Sequence, residues 1–347
     1  MTTSEPDPAS PLESARRTAL PWLRLGLGLL LGALGIWLVT REVNLAELGH
    51  ALRAAHPVFV LLGLITMLAT LVIKTWRWQL LFFPPEHMPA FGPAFWALML
   101  GQFFNNVLSP VRIGELARVY DLAEKTDAGK AQALGTILVE KALDMIMTVL
   151  TALAIIPWVV LPQTLGNPWV LAGTGVTLLG ALYFLAYRPN WVVQWLERLV
   201  PILPAALEQR VLASAVSGLR GLAALRDRRT TVQLVLLSAI AAFLAVLTPF
   251  VMFFAFDLPL NLAQAALIQL GLGLGLAVPS TPAKIGIFEG IVFTILGSIG
   301  IKDETPRLSY ALVFHAVVLL PQIIFGGIAA ARANARRPRR APSQQVP

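Results

Sequence analysis

Cysteine is absent from the 347-residue chain, and charged residues make up only 13% of it. The lack of cysteine excludes disulfide bonds, thiolate metal sites and cysteine nucleophiles. Soluble domains carry about 25% charged residues, so the chain has too few to cover a water-facing surface. We find no phosphate-binding loop, dinucleotide fingerprint or nucleophile elbow, and no metal-ligand spacing among the four histidines. We therefore expect no enzymatic activity, cofactor or metal.

Apolar residues are abundant: 56% of the chain is hydrophobic and the mean hydropathy is +0.71. Apolar runs close to the length of about 20 residues that a membrane-spanning helix needs recur along the chain. The sequence therefore predicts an all-α polytopic membrane protein. About six full transmembrane helices are expected, near residues 20–39, 58–83, 131–157, 168–187, 231–256 and 308–331.

The remaining segments fit around these spans. Residues 1–19 are rich in Pro, Ser and Glu and predict a disordered tail, and residues 332–347 form a basic tail after the integral part, 20–331. The basic amphipathic stretch 188–230 is typical of a helix on the cytoplasmic leaflet. Lys74 and Arg77, with Trp76 and Trp78, are predicted to anchor the end of the second span at the membrane interface.

Two further apolar stretches, 93–120 and 263–299, are each interrupted by proline and glycine. The interruptions match position by position: residues 109–114 read Ser-Pro-Val-Arg-Ile-Gly, and residues 281–286, 172 positions later, read Thr-Pro-Ala-Lys-Ile-Gly. Proline removes a backbone donor and glycine loosens a helix. We predict two broken, re-entrant helix hairpins in an inverted repeat, with halves at about 58–187 and 231–331.

Positive charge is distributed unevenly in this topology, and the net charge is +8. One side would carry both tails and the seven arginines between residues 188 and 229, and the other side only Arg41, Arg53, Lys302 and Arg307. Because positively charged loops stay inside, the N- and C-termini are predicted to be cytoplasmic. We attribute the basicity to topology and anionic lipid, and expect no nucleic-acid partner.

Several polar and ionisable side chains would lie at membrane depth, where an unpaired charge costs a few kcal/mol. One interpretation is a hydrated cavity in which Arg112 and Lys284 hold an anionic headgroup. The alternative is that the charges pair among themselves and fix the positions of the helices. Glu115 and Arg118 share a helix face, which predicts an ion pair.

The cavity interpretation gives two groups of candidate residues. The first would bind substrate: Arg112, Glu115, Arg118, Lys284, Glu289, Asn105 and Asn106. The second would gate the cavity or couple it to an ion: Glu140, Lys141, Asp144 and His315.

Three motifs resemble those of a known family. They are Pro-x-Arg-Ile-Gly-Glu-x-x-Arg at 110–118, Glu-Lys-x-x-Asp at 140–144 and Pro-x-x-x-Gly-x-x-Glu at 282–289. They resemble the flippase-like transmembrane domain of lysylphosphatidylglycerol synthases, over roughly residues 20–330. The resemblance implies movement of a lipid or lipid-linked headgroup between leaflets. Lys141 and His315 stand where the family pattern leads us to expect arginine, and the aminoacyl-transferase domain has no counterpart in the sequence.

Three functions are compatible with these observations. The leading hypothesis is a flippase or transporter for an anionic or zwitterionic phospholipid or glycolipid in a bacterial or archaeal cytoplasmic (inner) membrane. The second is a membrane enzyme acting on a lipid phosphate, such as a polyprenyl-linked sugar transferase. The third is a scaffold whose partner is a lipid-synthesis enzyme. An internal repeat favours the first, because alternating access uses two related halves.

Overall fold

The computed structural model describes residues 45–82, 86, 88–107, 113–124, 130–155, 157–158, 173, 177, 180, 223–276 and 281–335. All regular structure within these residues is helical. Two short 3-10 helices cover Ala223–Arg226 and Pro282–Lys284. The α-helices are α1 (Leu45–Ala54), α2 (Pro57–Leu80), α3 (Phe91–Val107), α4 (Gly114–Ala123), α5 (Lys130–Ile155), α6 (Arg228–Phe254), α7 (Leu262–Gly275), α8 (Ile287–Ser298) and α9 (Glu304–Ala335).

Three helices in the described part of the chain are long and apolar enough to cross a membrane: Pro57–Leu80, Arg228–Phe254 and Glu304–Ala333. They confirm the helices predicted near 58–83, 231–256 and 308–331. α5 has 26 residues and matches the helix predicted at 131–157, but it carries three ionisable residues in its middle. The span predicted at 20–39 lies outside the described residues, as do nearly all of 168–187, most of 188–230 and most of both tails.

Local signals set the beginnings of several helices. Pro57 occupies the first turn of α2. Backbone N–H groups there have no partner within the helix, so the missing N–H of proline costs no hydrogen bond. At the start of α6, Asp227 accepts hydrogen bonds from the backbone N–H and hydroxyl of Thr230 at 2.7 and 2.6 Å. These bonds hold the pKa of Asp227 below its usual value. Asn261 and Gln264 exchange side-chain and backbone hydrogen bonds at the start of α7.

The two interrupted stretches form pairs of short helices, α3–α4 and α7–α8. In the second pair Gly271 lies against Ile295 and Gly275 against Ile291, so the two helices run antiparallel. In the first pair Gly101 lies against Arg118, and these two helices also run antiparallel. The four helices have 17, 10, 14 and 12 residues, each shorter than a full span. The predicted helix–break–helix hairpins are therefore present, and whether they are re-entrant stays a prediction.

The packing of α2–α5 has the same pattern as the packing of α6–α9. The contacts α2–α3, α2–α5, α3–α4 and α4–α5 recur as α6–α7, α6–α9, α7–α8 and α8–α9. The contacts between the halves are also reciprocal, because α3–α9 and α2–α9 match α7–α5 and α6–α5. α2 and α6 pack directly on each other and run antiparallel, with Gly63 against Met252 and Arg77 bonded to Ser238.

A backbone contact closes the first hairpin. A Cβ at Gly114 would overlap the carbonyl oxygen of Gly101, and a Cβ at Gly101 would lie 2.9 Å from the carbonyl oxygen of Gly114. Only glycine allows the two helices to approach so closely. The repeat counterpart of Gly101 is Gly273, and no atom lies within 4 Å of a Cβ placed there. The first hairpin is therefore tighter at this position than the second.

We expect Gly101→Ala to lower the stability of the protein relative to Gly273→Ala by about 1–3 kcal/mol, the usual cost of overpacking. Both substitutions place alanine inside a helix and gain the same intrinsic helix propensity, so the difference reports the backbone contact. Unfolding of the two variants in mixed detergent micelles measures it. Equal stability of the two variants would show that the hairpin does not depend on this contact.

Candidate functional site

A buried ion-pair network joins α2, α4 and α5. The Glu140 carboxylate accepts hydrogen bonds from both terminal nitrogens of Arg118. Nη1 of Arg77 lies 2.6 Å from Asp144 Oδ1, and its Nη2 lies 3.9 Å from Glu140 Oε1. The exposed fractions of the Arg77, Arg118 and Glu140 side chains are 1%, 5% and 5%. Glu140 and Asp144 therefore share one face of α5, as their spacing predicts, and Arg77 contacts both.

The network continues into neighbouring side chains. The guanidinium of Arg118 lies 4.4 Å from the ring centroid of Trp78, a cation–π contact. Nε1 of Trp78 donates to Thr136 Oγ1 at 3.0 Å, and Nη1 of Arg77 donates to Ser238 on α6 at 3.3 Å. Arg77 and Trp78 are fully buried. The prediction that they anchor the span at the membrane interface is therefore wrong, because the facing carboxylates of α5 supply a partner inside the protein.

A second set of polar contacts closes the first break. The Glu115 carboxylate accepts from Asn105 Nδ2 at 3.0 Å and lies 3.1 Å from Lys141 Nζ. Asn105 Oδ1 accepts the backbone N–H of Gly114 at 2.9 Å, so Asn105 satisfies backbone at the break. The predicted ion pair between Glu115 and Arg118 is wrong. Each of the two instead binds a different residue of α5, Arg118 to Glu140 and Glu115 to Lys141, because α5 brings an opposite charge close to each.

Asn106 has a separate role. It is buried, and its Nδ2 donates to Gln322 Oε1 at 2.9 Å. The bond links α3 to α9 and does not join the network around Glu140. Asn106 therefore connects the first hairpin to the last helix, and its predicted contact with substrate stays a prediction.

The second hairpin carries its own cluster. Oε1 of Glu289 lies 2.6 Å from Nδ1 of His315, and Oε2 accepts the backbone N–H of Gly286 at 2.8 Å. Nε2 of His315 lies 3.0 Å from the carbonyl oxygen of Ala283. Phe288 stacks on the imidazole, with 4.2 Å between ring centroids. Glu289, from the group predicted to bind substrate, and His315, from the group predicted to gate or couple, therefore contact each other.

The two clusters share one arrangement of side chains. In each, a carboxylate in the first turn of the second hairpin helix binds a nitrogen on the following long helix, 26 residues later. Glu115 and Lys141 form the pair in the first half, and Glu289 and His315 form it in the second. Lys141 and His315 are therefore counterparts. An ammonium group occupies the first position and an imidazole ring the second.

Two adjoining chambers lie between α5, α6 and α7. The polar chamber has a volume of about 420 Å³ and is lined by Lys74, Lys141, Asp144, Ser238 and Gln269 among others. The apolar chamber has a volume of about 820 Å³. The two share four lining residues, so they form one continuous groove: Met147, Thr151, Ala242 and Val246.

The polar chamber is electropositive. Lys74 and Lys141 face it together with a single carboxylate, Asp144. When every group is ionised, the chamber and the buried network together hold four cations and three carboxylates, an excess of one positive charge. In a medium of low dielectric constant such an excess attracts an anion strongly. Within the described residues no group of three histidine or carboxylate side chains is placed to hold a metal ion.

Arg112 and Lys284 are the two cations that the sequence predicts to hold an anionic headgroup. Arg112 lies outside the described residues. Lys284 lies in the short turn Pro282–Lys284, which packs against α3, and it is not among the residues that line the polar chamber. Contact of either residue with a headgroup stays a prediction. Sequence reasoning missed Lys74 as a chamber residue, although its position one turn before Arg77 on a span was a signal.

These features define a helical integral membrane protein with a polar chamber between α5, α6 and α7. The chain belongs to the family described as the lysylphosphatidylglycerol synthase TM region, whose profile matches residues 25–326. This match confirms the family resemblance of the three motifs.

Two archaeal proteins illustrate the similarity. A UPF0104 membrane protein of Methanothermobacter thermautotrophicus is 23% identical over 319 residues, which cover 87% of this chain and 93% of that protein. A UPF0104 membrane protein of Methanocaldococcus jannaschii is 27% identical over 117 residues, covering 33% of this chain and 35% of that protein. No solved structure matches the chain.

We expect Glu140→Gln to destabilise the protein by about 3–5 kcal/mol, because it leaves two buried guanidinium groups without their shared carboxylate. Glu115→Gln is the matched control. The Glu115 and Lys141 side chains are 25% and 55% exposed, and a pair of this exposure contributes about 1 kcal/mol or less. Unfolding in mixed micelles measures both variants. Losses of equal size would contradict the central position of Glu140.

Proposed function

We propose that the chain is a lipid flippase, which moves an anionic or zwitterionic phospholipid or glycolipid between leaflets without chemical change. The observation that carries the proposal is the continuous groove, which joins an electropositive polar chamber to a larger apolar one. A lipid has the same division, with a charged headgroup on an apolar chain. Membership of the family supports a role in lipid biology.

The headgroup lies between the two hairpins in this proposal. Lys141 binds Glu115, which belongs to the first hairpin. The facing wall of the polar chamber includes Gln269, Gly273 and Leu276 at the end of α7, which belongs to the second hairpin. Ammonium groups are common phosphate ligands in proteins. A phosphate between Lys74 and Lys141 would therefore contact elements of both halves and respond to movement of either.

The apolar chamber would hold part of an acyl chain. Along α5 the groove extends from Lys141 to Trp158, just beyond the helix end. At a rise of 1.5 Å per residue this separation is about 26 Å, most of the roughly 30 Å thickness of the hydrocarbon core. Because the lining of the apolar chamber is apolar apart from Thr151 and Asn261, it suits methylene groups better than a headgroup.

Alternating exposure follows from the inverted repeat, which we propose on the matched motifs and the reciprocal helix contacts. α5 and α7 touch, but the groove opens between them, whereas their counterparts α9 and α3 are packed closely together. A Cβ at Gly326 would lie 2.5 Å from the Cβ of Phe103 and 2.8 Å from the carbonyl oxygen of Met99. We propose that the structure represents one state, and that opening between α3 and α9 with closure between α5 and α7 gives the other.

The orientation in the membrane is also part of the proposal. The excess of arginine in the tails and in residues 188–229 supports cytoplasmic termini in a bacterial or archaeal cytoplasmic membrane. No ATP-binding motif is present in the sequence, so movement is driven by a lipid gradient or by an ion.

Exchange of fluorescent phospholipids, glycolipids and polyprenyl phosphates between leaflets of proteoliposomes tests the flippase proposal. We expect the wild type to accelerate one lipid class. Lys74→Gln or Lys141→Gln should slow it about tenfold, because the loss of one charged contact weakens headgroup binding by about 1.4 kcal/mol. Arg112→Ala and Lys284→Ala test the two cations that the sequence singled out.

Lys130→Gln is the matched control, because it removes a cation from the first turn of the same helix, where Lys130 lies over the ring of Tyr120. Its exchange rate should equal that of the wild type. No exchange of any lipid by folded wild type, with or without an ion gradient, would reject the proposal. An enzyme of lipid metabolism or a scaffold for a lipid-synthesis enzyme would then explain the chain.

Cross-linking tests the second state. In the cysteine-free chain, Asn106→Cys and Gln322→Cys replace a hydrogen-bonded pair between α3 and α9. We expect a short thiol–thiol cross-linker, cleavable by reductant, to block lipid exchange, and cleavage to restore it, because the groove between these helices could not open. The same double variant without cross-linker is the control. Full exchange in the cross-linked protein would show that α3 and α9 need not separate.

A further inference from the structure

We infer that Glu289 and His315 form a proton-binding site that locks the second break, and that lipid movement therefore depends on pH. The inference rests on the proposed function. It starts from the hydrogen bonds that the pair makes on both sides.

Counting donors and acceptors gives the protonation state. The carbonyl oxygen of Ala283 can only accept, so Nε2 of His315, at 3.0 Å, must carry a hydrogen. Nδ1 of His315 lies 2.6 Å from Glu289 Oε1. Neutral imidazole with its hydrogen on Nε2 offers only a lone pair at Nδ1, and an ionised carboxylate offers only lone pairs. One additional proton is therefore required between Glu289 and His315, on either atom.

That proton holds the break together. His315 binds the carbonyl of Ala283, and Glu289 binds the N–H of Gly286, so the pair clamps both ends of the turn. The turn is strained: Ala283 and Lys284 have φ angles of 53° and 64°, in the left-handed region that non-glycine residues rarely adopt. Loss of the proton brings two lone pairs face to face. The clamp then opens and the turn relaxes.

The charged surroundings of the pair are simple. α8 contributes Glu289, the turn contributes Lys284 and α3 contributes no charged residue. Apart from Glu289, no titratable side chain in the described part of the chain is bonded to His315. The other titratable residues of α9 and of the helices packed against it are Glu47, His50 and Arg53 on α1, Lys74 and Arg77 on α2, Arg228 and Arg229 on α6, and Glu304, Arg307, Tyr310 and Arg332 on α9.

The first half of the repeat supplies the comparison. There Lys141 takes the place of the imidazole, and because an ammonium group offers only hydrogen-bond donors, the Glu115–Lys141 pair needs no shared proton. Histidine is the side chain that ordinarily titrates in the physiological pH range. The shared proton is therefore a feature of the second hairpin pair and not of its counterpart in the first.

The pH dependence of lipid exchange in proteoliposomes tests the lock. We expect wild-type exchange to slow about tenfold as the pH falls from about 8 to about 5, because the proton closes the break. Glu289→Gln should exchange slowly at every pH, with a change of less than about twofold. Its amide N–H can donate to Nδ1 of neutral His315 while its carbonyl accepts from Gly286, so the break stays closed without a proton.

Glu115→Gln is the matched control in the other half. Whatever its rate, its exchange should keep the wild-type pH profile. A pH profile of Glu289→Gln equal to that of the wild type would overturn the inference and leave the flippase proposal intact. An absence of wild-type exchange at every pH would instead reject the flippase proposal.

A second measurement does not depend on transport. Ala283→Cys places a single thiol in the turn, where the wild-type side chain is fully buried, so labelling requires the turn to open. We expect maleimide labelling to rise more steeply with pH when Glu289 and His315 are present than in Glu289→Gln or His315→Gln. The thiol is the same in all three proteins, so the difference between them reports opening of the turn. Identical pH dependence in the three proteins would show that the pair does not hold the turn.

Discussion

A charge inside a membrane protein needs a partner close by, because the surrounding hydrocarbon cannot solvate it. Arg77, Arg118, Glu140 and Asp144 meet this requirement for one another, and in doing so they fix α2, α4 and α5 relative to each other. The first hairpin is held against α5 by these bonds. The position of Lys141 in the polar chamber depends on the same helix. The groove in which we propose that lipid binds is therefore built on a buried salt-bridge network.

The second half of the architecture has a different chemistry from the first. In both hairpins a carboxylate in the first turn of the second helix reaches the following long helix. In the first half the carboxylate meets lysine, next to the buried network of arginines and carboxylates. In the second half it meets an imidazole stacked on Phe288. The same arrangement of helices thus holds a cluster of lysine and arginine side chains in one half and a carboxylate–imidazole pair in the other.

Much of the helix layout could be predicted from the sequence, since apolar length and the Pro–Gly interruptions are local properties. The pairing of side chains could not. The partner of Arg77 is 67 positions away on α5, and nothing near Arg77 distinguishes it from a cation that reaches to the membrane surface. The Glu115–Arg118 prediction failed for a similar reason, because helical spacing ignores the carboxylate and ammonium groups that a neighbouring helix brings. The motif spacing predicted the breaks correctly, but not that His315 would bind the second one.

The separation of Arg77 from its acidic partners has a consequence for biosynthesis. α2 emerges from the ribosome with Lys74 and Arg77, whereas Asp144 follows 67 residues later. At about 5–20 residues per second, α2 waits roughly 3–13 s for its counter-charges. During that interval the cationic end of α2 is poorly solvated by the hydrocarbon of the bilayer. We therefore expect α2 to remain at the insertion machinery until α5 arrives, so that the two helices enter the bilayer together.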